Sequence, residues 1–266
     1  MKVRGILPSR ELRPYVDRYW AWENESELPD VLPGTGHELI FHYGKPWLAF
    51  SSARKERLPV CCLLSPRQRN LQVEPDGAVG FISVRFRAGA LRHFSPLPVQ
   101  ALADHVLAVE DIWGEAGRNL REQLCEATNL AQRIQIFEGA LHRFFHCFHK
   151  PEAWLDEAVR RLYYRNPATR TMQLGEELFV SERQLQRKIK ECVGVTPKTF
   201  QRIVRFEGVL KRLLLQEKND YLALALDNGY YDQAHFIKEF KTFVGETPSV
   251  YLQEDKFHSH YYCEKI

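Results

Sequence analysis

Residues 181–206 read SERQLQRKIKECVGVTPKTFQRIVRF, and residues 222–251 read LALALDNGYYDQAHFIKEFKTFVGETPSVY. In both stretches apolar residues recur at three- and four-residue spacing, a glycine ends the run, and Thr-Pro follows shortly after. This is the pattern of a helix that stops at a glycine before another helix begins. Ser181 and Asp232 stand where helix N-caps are expected. The shared pattern predicts two copies of one helical unit.

The two stretches form an internal repeat with a shift of 51 residues, from Gly194 to Gly245. Upstream of the second helix the shift falls to 50, which sets Gly175 on Ala225, so the two copies differ by one residue in a turn. Chance rarely aligns so many constrained positions. The other paired positions are Leu185 with Phe236, Ile189 with Phe240, Lys190 with Lys241, Val193 with Val244, Thr196 with Thr247, Pro197 with Pro248 and Phe200 with Tyr251.

A short helix, a tight turn and a second helix, with a small residue where the helices cross, make up a helix-turn-helix unit. Gly175 and Ala225 are those small residues. The second helix of such a unit can enter the major groove of DNA while the first crosses the backbone. An apolar stripe from Lys198 to about residue 216 predicts a long helix that connects the two units. We therefore expect two tandem helix-turn-helix units, with double-stranded DNA as the partner.

Basic residues are concentrated in one part of the chain. The net charge of the whole chain is only +3, but residues 183–212 hold nine Lys or Arg against two Glu. A charge run taken alone is usually a solvated helix face. Because this run coincides with the repeat, we interpret it as a surface for a polyanion.

The length of 266 residues fits two domains better than one small core. With 44% hydrophobic and 27% charged residues, the composition is that of a packed protein rather than a disordered one. Neither a secretory leader nor a membrane-spanning stretch stands out, so we expect a cytoplasmic protein with no membrane contact. Six cysteines without a CxxC pair predict reduced thiols.

The N-terminal half has the pattern of short strands. VLPGTG, HELIFHYG and GAVGFISVRFRAGAL are separated by turn-rich segments, which favours an antiparallel barrel or sandwich. Within GFISVRF, the residues Phe81, Ser83 and Arg85 alternate with apolar neighbours. This alternation predicts a half-buried strand.

Between Arg118 and His149 the apolar residues recur at helical spacing, which predicts a pair of amphipathic helices or one kinked helix. Asn129 followed by Gln132 indicates an N-cap at the interruption. The apolar stripe needs a cover. A second copy of the chain in a homodimer is the expected cover, and the β-rich domain would serve equally well.

The two repeat stretches, with GxTP in both halves and the GYxDQxHFxxxFK run, resemble the DNA-binding domain of the AraC/XylS family of bacterial regulators over residues 154–252. VLPGTGHELIF and VRFRAGAL also resemble an N-terminal companion domain of that family. The resemblance implies an α+β multidomain protein. It would have a cupin-like antiparallel β-barrel, a helical linker and an all-α domain with two helix-turn-helix motifs joined by a long helix.

The boundaries predicted on this basis are 1–116 for the β-rich effector domain, 117–150 for the helical linker used in dimerisation, 151–254 for the DNA-binding domain and 255–266 for a tail. The resemblance implies a sequence-specific transcription regulator controlled by a small-molecule effector bound in the N-terminal domain. It also allows a homodimer and contact with RNA polymerase. The tail contains His258, His260 and Cys263, and we interpret it as a loosely ordered terminus.

Carried over from the resemblance, the base-facing positions are rich in Arg and Gln, which suit guanine and adenine respectively. Ala234 and Ile237 offer only apolar contact, so we expect the first unit to carry most of the specificity. His235 is interpreted as a capping or packing residue. The predicted base contacts are Arg183, Gln186 and Arg187 in the first unit and Gln233, Ile237 and Lys238 in the second. The predicted phosphate contacts are Ser181, Lys190, Lys198, Arg202 and Lys241.

An effector pocket is predicted in the β-rich domain, although aromatic residues on strands more often belong to a core. The HxH pair of a cupin-type metal site is missing, so we expect no metal and no other cofactor. No motif of a hydrolase, metalloprotease or nucleotide-binding enzyme is present, and we expect no enzymatic activity. The residues of the predicted pocket are Trp20, Trp22, Glu38, His42, Tyr43, Trp47 and Arg85.

One alternative of a different class stays open. The chain could be an effector- or metal-sensing protein whose helical module binds a protein partner. The two interpretations differ in the salt dependence of binding to random duplex DNA. Affinity that does not change with salt would favour the protein partner.

Overall fold

The computed structural model describes residues 2–24, 28, 31–51, 54–103, 105–164, 171–215 and 221–252. The predicted tail lies outside these residues. Within the described part of the chain, no helix is both long enough and apolar enough to cross a membrane.

The N-terminal part consists of antiparallel strands in two sheets, as the sequence predicts. The larger sheet has the order β1-β2-β8-β3-β6-β9 and the smaller one the order β5-β4-β7. Both orders have free ends, so no sheet closes among the described strands, and the cupin-like barrel that the resemblance implies is not confirmed. The strands are β1 (Lys2–Ile6), β2 (Val16–Asn24), β3 (Glu38–His42), β4 (Leu48–Ser51), β5 (Arg54–Arg57), β6 (Cys61–Leu64), β7 (Val73–Glu74), β8 (Val79–Phe86) and β9 (Val106–Ala108).

The larger sheet is covered on both faces. On one face Ile82 and Val84 belong to a core that the linker helices complete, and on the other Phe81 packs with Trp47 of the loop before the smaller sheet. Every residue of β8 is consequently buried. The prediction of a half-buried strand was wrong, because alternation cannot show that the second face also has a cover.

Three helices form the linker: α1 (Val109–Trp113), α2 (Glu115–Glu126) and α3 (Leu130–Phe148). The N-cap at Asn129 is confirmed, since its Oδ1 accepts a hydrogen bond of 3.0 Å from the backbone N–H of Gln132. Leu120, Phe137 and Leu141 pack against the larger sheet. The apolar stripe is thus covered within the chain.

The C-terminal part is helical, and its helices begin and end close to the residues that the sequence predicts. Gly194 and Gly245 end α6 and α9 in the left-handed conformation, with φ of 91° and 98°. Neither position suits a side chain at that φ. The helices are α4 (Ala153–Tyr164), α5 (Thr171–Glu177), α6 (Glu182–Val193), α7 (Pro197–Leu215), α8 (Tyr221–Asp227), α9 (Gln233–Val244) and α10 (Pro248–Tyr251).

Each repeat has its own apolar core, and α7 contributes to both. Leu185 and Phe200 are buried in the first core, while Phe236 and Phe206 are buried in the second. Because one rigid helix supplies side chains to both cores, the spacing between the two units is set by α7.

The turns of the two units differ by one residue, as the change of shift predicts. The backbone N–H of Val180 donates to the carbonyl of Gly175, and that of Tyr230 donates to the carbonyl of Ala225, so the two turns start alike. The second turn then contains the additional residue Tyr231 before its helix begins.

Candidate DNA-binding surface

The first recognition helix, α6, has one buried and one exposed face. Leu185 and Ile189 anchor it in the core, and this leaves Arg183, Gln186 and Arg187 exposed. The three predicted base-contact residues of this unit therefore share the solvent face of α6, where a groove edge could reach them.

Arg187 and Gln186 each make a polar contact within α6. Arg187 Nη1 donates to Glu191 Oε1 at 3.1 Å, and Gln186 Nε2 donates to Glu182 Oε1 at 3.1 Å. Both contacts lie in solvent, where such pairs contribute little and can be exchanged for DNA. Gln184 is also exposed on the first turn of α6, and the sequence interpretation omitted it.

The second recognition helix, α9, presents a less polar face. Gln233, Ala234 and Lys238 are exposed, whereas Ile237 is only partly exposed and packs against the core. Ile237 is thus the one predicted base-contact residue that the structure places partly inside the protein.

The contacts of His235 agree with its interpretation as a capping or packing residue. Its Nδ1 lies 3.5 Å from the backbone N of Tyr231, and its ring lies 5.3 Å from that of Tyr230. The backbone N–H of His235 donates to Asp232 Oδ1 at 2.7 Å, which makes Asp232 the N-cap of α9.

Most of the predicted phosphate contacts are exposed. Ser181 Oγ accepts a hydrogen bond from the backbone N–H of Gln184, so Ser181 also serves as the N-cap of α6. The exposed residues are Ser181, Lys190, Lys198 and Lys241.

Arg202, also predicted to bind phosphate, has a partner inside the protein. Its Nε donates to the buried Glu239 at 2.5 Å, and Arg205 binds the same carboxylate at 3.1 Å. These contacts join α7 to α9. Lys188 is engaged as well, in an ion pair of 2.9 Å with Glu152. Some of the basic residues in the stretch 183–212 therefore have structural roles.

The residues predicted to form an effector pocket do not surround one cavity. Trp20 and Trp47 both pack edge to face on Phe81, with ring centroids 4.8 Å and 4.7 Å apart. His42 packs on Trp47, and burial lowers its pKa to about 4, so it is neutral at pH 7. In the described part of the chain, no group of three His, Cys, Asp or Glu could hold a metal ion.

Three further members of that set lie elsewhere. Tyr43 donates through its hydroxyl to Glu23 at 3.0 Å. Glu38 and Arg85 form a buried ion pair with an Nη1 to Oε1 distance of 2.8 Å. Arg85 also lines a cavity of about 810 Å³, and it is the only predicted pocket residue that does so.

This cavity, which we call the cleft, lies between the larger sheet and the helices α4 and α7. Pocket volumes of roughly 300–1,000 Å³ are typical of small-molecule sites. The side chains that matter most in its lining are Arg13, Tyr15, Asp17, Arg18, Arg85, Arg87, Asp156, Glu157, Arg160, Tyr163 and Lys211.

A buried polar contact at the cleft joins the β-rich part to α7. Arg85 Nη2 donates to Glu207 Oε1 at 2.9 Å, and Thr35 donates to Glu207 Oε2 through its hydroxyl at 2.8 Å. Burial raises the pKa of Glu207, while Arg85 and Thr35 act in the opposite direction. The charge of Glu207, followed by burial, raises the pKa of Tyr163 on α4.

The β-rich part also touches both helix-turn-helix units. Cys192 Sγ of the first unit lies 3.5 Å from the carbonyl oxygen of Gly89. In the second unit, the carbonyl of Phe243 accepts a hydrogen bond of 2.8 Å from the backbone N–H of Asn70, and Leu32 is buried in that unit's core. A movement of the β-rich part would therefore change contacts of both units.

Sequence reasoning missed the cleft and Glu207. The sequence did identify the strand that carries Arg85. The one local signal for Glu207 was that it is an acidic residue within an otherwise apolar helix stripe. Their pairing spans 122 residues of sequence, and no local pattern reports it.

Two parts of the chain match families of known proteins. Residues 174–254 match the family described as "Helix-turn-helix domain", and residues 4–108 match the family described as "Domain of unknown function (DUF6597)". An uncharacterized HTH-type transcriptional regulator of Haemophilus influenzae is 35% identical over 79 residues, which are 30% of this chain and 26% of that protein. The chain therefore spans about a quarter of the length of that curated relative.

Solved structures with a similar fold include ToxT of Vibrio cholerae. One ToxT structure has a TM-score of 0.52 at 12% identity and covers 87% of this chain and 97% of ToxT. Another, bound to (E)-4-(8-methylnaphthalen-1-yl)but-3-enoic acid, has a TM-score of 0.50 at 12% identity and covers 95% of this chain and 98% of ToxT. At this identity the likeness concerns the fold alone.

Proposed function

We propose that the chain is an AraC-type, sequence-specific, DNA-binding transcription regulator controlled by a small effector, since residues 174–254 match a helix-turn-helix family. The observation that carries the proposal is the pair of recognition helices, α6 and α9. Each has a buried face in its own core and an exposed face with side chains that can bind DNA, and one helix joins the two units.

The two units would contribute unequally to base recognition. Arg183, Gln186 and Arg187 would read base edges in one major groove. Gln233 and Lys238 would do so in the next, with Ile237 in a minor, apolar role. Phosphates would be bound by Lys190, Lys198, Lys241 and Ser181. These contacts would provide affinity without sequence information. Arg202 would reach a phosphate only by sharing its guanidinium with Glu239.

Effector control is supported by the contacts of the β-rich part with both units and by the cleft that opens beside them. ToxT, which shares the fold, has been solved with an organic acid bound. A homodimer and contact with RNA polymerase stay predictions. The linker helices give the homodimer no further support, since their apolar stripe is covered within the chain.

The proposal is tested by selecting duplexes from a random pool with the full chain and then measuring affinity against salt. We expect one enriched sequence motif and a log affinity that falls linearly with log salt. Lys190→Ala and Lys241→Ala should each reduce the salt slope by about one. The exposed Lys45 of the β-rich part provides the matched control, and Lys45→Ala should leave the slope unchanged.

No enriched motif, together with affinity that is independent of salt, would contradict the proposal. That result would favour the alternative in which the helical module binds a protein partner.

A further inference from the structure

We propose that Glu239 limits the affinity of the second unit for the DNA backbone, because it holds the guanidinium of Arg202 that a phosphate would otherwise bind. Glu239 lies on the recognition helix α9, and Arg202 lies on the connecting helix α7. The inference rests on the proposed function, since it names the residue that sets how strongly one part of that DNA-binding surface attracts phosphate.

Glu239 is a buried carboxylate between two arginines, with a side chain that is 4% exposed. Arg202 Nε donates to Glu239 Oε1 at 2.5 Å, and Arg205 Nη2 donates to Glu239 Oε2 at 3.1 Å. A carboxylate that leaves water is stabilised only when charged groups and hydrogen bonds replace its hydration. The two arginines provide this replacement, so both are already engaged in the protein without DNA.

The two arginines differ in their other contacts. Arg205 has a side chain that is 15% exposed, its guanidinium lies over the Tyr230 ring at 4.7 Å, and its Nη1 donates to the carbonyl of Gly229 at 3.4 Å. The side chain of Arg202 is 34% exposed, and among the described residues only its Nε takes part in a hydrogen bond. The two Nη groups of Arg202 are therefore the ones that a phosphate could reach.

Arg202 shares a face of α7 with another predicted phosphate contact. Lys198 precedes it by four residues and is exposed, and residues four apart lie on the same side of a helix. A DNA backbone that follows this face of α7 would meet an exposed cation at Lys198 and a paired cation at Arg202.

The pairing with Glu239 reduces what Arg202 can contribute to DNA binding. A cation whose charge is partly neutralised by a neighbouring carboxylate releases fewer counterions when it meets a phosphate. The carboxylate also repels the phosphate. Arg202 cannot simply leave Glu239, since a buried carboxylate that loses a partner is costly. Arg202 with Glu239 therefore attracts the DNA backbone less than Arg202 alone would.

The first unit has an ion pair at the equivalent position with the charges exchanged. The shift of 51 residues aligns Lys188 of α6 with Glu239, and Lys188 Nζ pairs with Glu152 Oε1 at 2.9 Å. Both pairs attach a recognition helix to the segment that precedes its unit. Because a lysine on the recognition helix serves this purpose in the first unit, attachment does not require a carboxylate on α9. The negative sign at Glu239 points to its effect on the cations of the DNA-binding surface.

Fluorescence anisotropy of the full chain at several salt concentrations tests the proposal with the selected duplex and a random duplex. Glu239→Gln keeps the shape of the side chain and removes its charge. We expect it to tighten binding of both duplexes by the same factor, about fivefold at roughly 0.1 M salt, and to steepen the slope of log affinity against log salt by about one, the value for one more phosphate contact. A merely structural role of Glu239 predicts weaker binding without a steeper slope. That result, or no change, would overturn the proposal.

Two further variants identify the source of the gain. Glu74→Gln makes the same change in net charge in the smaller sheet, where Glu74 pairs with Lys55, and it should leave affinity and slope unchanged. Adding Arg202→Gln to Glu239→Gln should remove the gain. A gain that persists without Arg202, or an equal gain in Glu74→Gln, would refute the assigned role.

Arg202→Gln alone provides a test that does not depend on the folding of Glu239→Gln. Because Glu239 already reduces the contribution of Arg202, this variant should lower the salt slope by much less than Lys241→Gln, which should lower it by about one. Equal reductions in the two variants would show that Glu239 does not weaken the contact of Arg202 with phosphate.

The same titrations separate this inference from the proposed function. If the wild-type chain binds no duplex in a salt-dependent way, both fail. If it binds as expected and Glu239→Gln leaves the slope unchanged, only the role of Glu239 fails.

Discussion

The two helix-turn-helix units have the same interior and different exteriors. Leu185 and Phe236 are both fully buried at equivalent positions, and both recognition helices end at a left-handed glycine. On the exposed faces, Arg187 of the first unit corresponds to Lys238 of the second. The comparison teaches that the repeat conserves what makes the unit fold, while the surface chemistry is free to differ.

The largest expected effect concerns the shared interior. Phe236→Ala should lower the free energy of unfolding by about 3–5 kcal/mol, and Leu185→Ala by about 2–5 kcal/mol, because each removes a fully buried side chain. Urea unfolding followed by circular dichroism provides the measurement. A cost below about 1 kcal/mol at either position would show that the two cores are not equivalent.

The exteriors should differ in DNA recognition. Arg187→Ala should cost about 1–3 kcal/mol on the selected duplex and much less on random duplex, since Arg can bind guanine with two hydrogen bonds. Lys238→Ala should cost less on the selected duplex. Fluorescence anisotropy with both duplexes measures the difference. Equal losses on both duplexes for Arg187→Ala would remove its role in reading bases.

The two glycine caps should have a smaller and similar effect. Both Gly194→Ala and Gly245→Ala force a side chain into the left-handed region, at a cost of about 1–2 kcal/mol. An added Cβ at Gly194 would meet the Cβ of Ala103 at 3.4 Å, an ordinary van der Waals contact, and the space beside Gly245 is open. Thermal melts should therefore show similar losses for the two variants. A much larger loss for one of them would contradict the equivalence of the two caps.

The smallest effect is expected in the first turn. Phe179 has a φ of 56° and a side chain that is 96% exposed, while the second unit has Gly229 at the equivalent position with a φ of 86°. Phe179→Gly should raise the free energy of unfolding by up to about 1 kcal/mol, because it relieves the left-handed strain and removes no packing. A lower melting temperature for Phe179→Gly would indicate a contact that offsets the strain.

The helical part was predictable because its signals are local. N-caps at Ser181, Asn129 and Asp232, and stops at Gly194 and Gly245, each depend on residues within one helical turn. The β-rich part was predicted only as a class. The alternation in β8 does not reveal whether a sheet has one cover or two, and strand order depends on contacts between distant residues.

The candidate DNA-binding surface was likewise predictable only where its signals are local. The exposed face of α6 follows from helical spacing, since Leu185 and Ile189 determine which side is buried. Arg202 shows where this reasoning ends, because its partner Glu239 belongs to another helix 37 residues away. A basic side chain that helical spacing places on an exposed face can still pair with a buried carboxylate of another helix, because only the tertiary packing brings the two groups together.

The amino-acid sequence by itself determined the two helix-turn-helix units, their one-residue difference and the faces of their recognition helices, because caps, glycine stops and apolar spacing act over a few residues. Only the tertiary structure decided the order of the strands in the sheets, the cover on the linker helices, the cleft, and the contact of Arg85 with Glu207. Those features depend on which surfaces meet after folding, and residues that are 122 positions apart leave no pattern of their own in the chain.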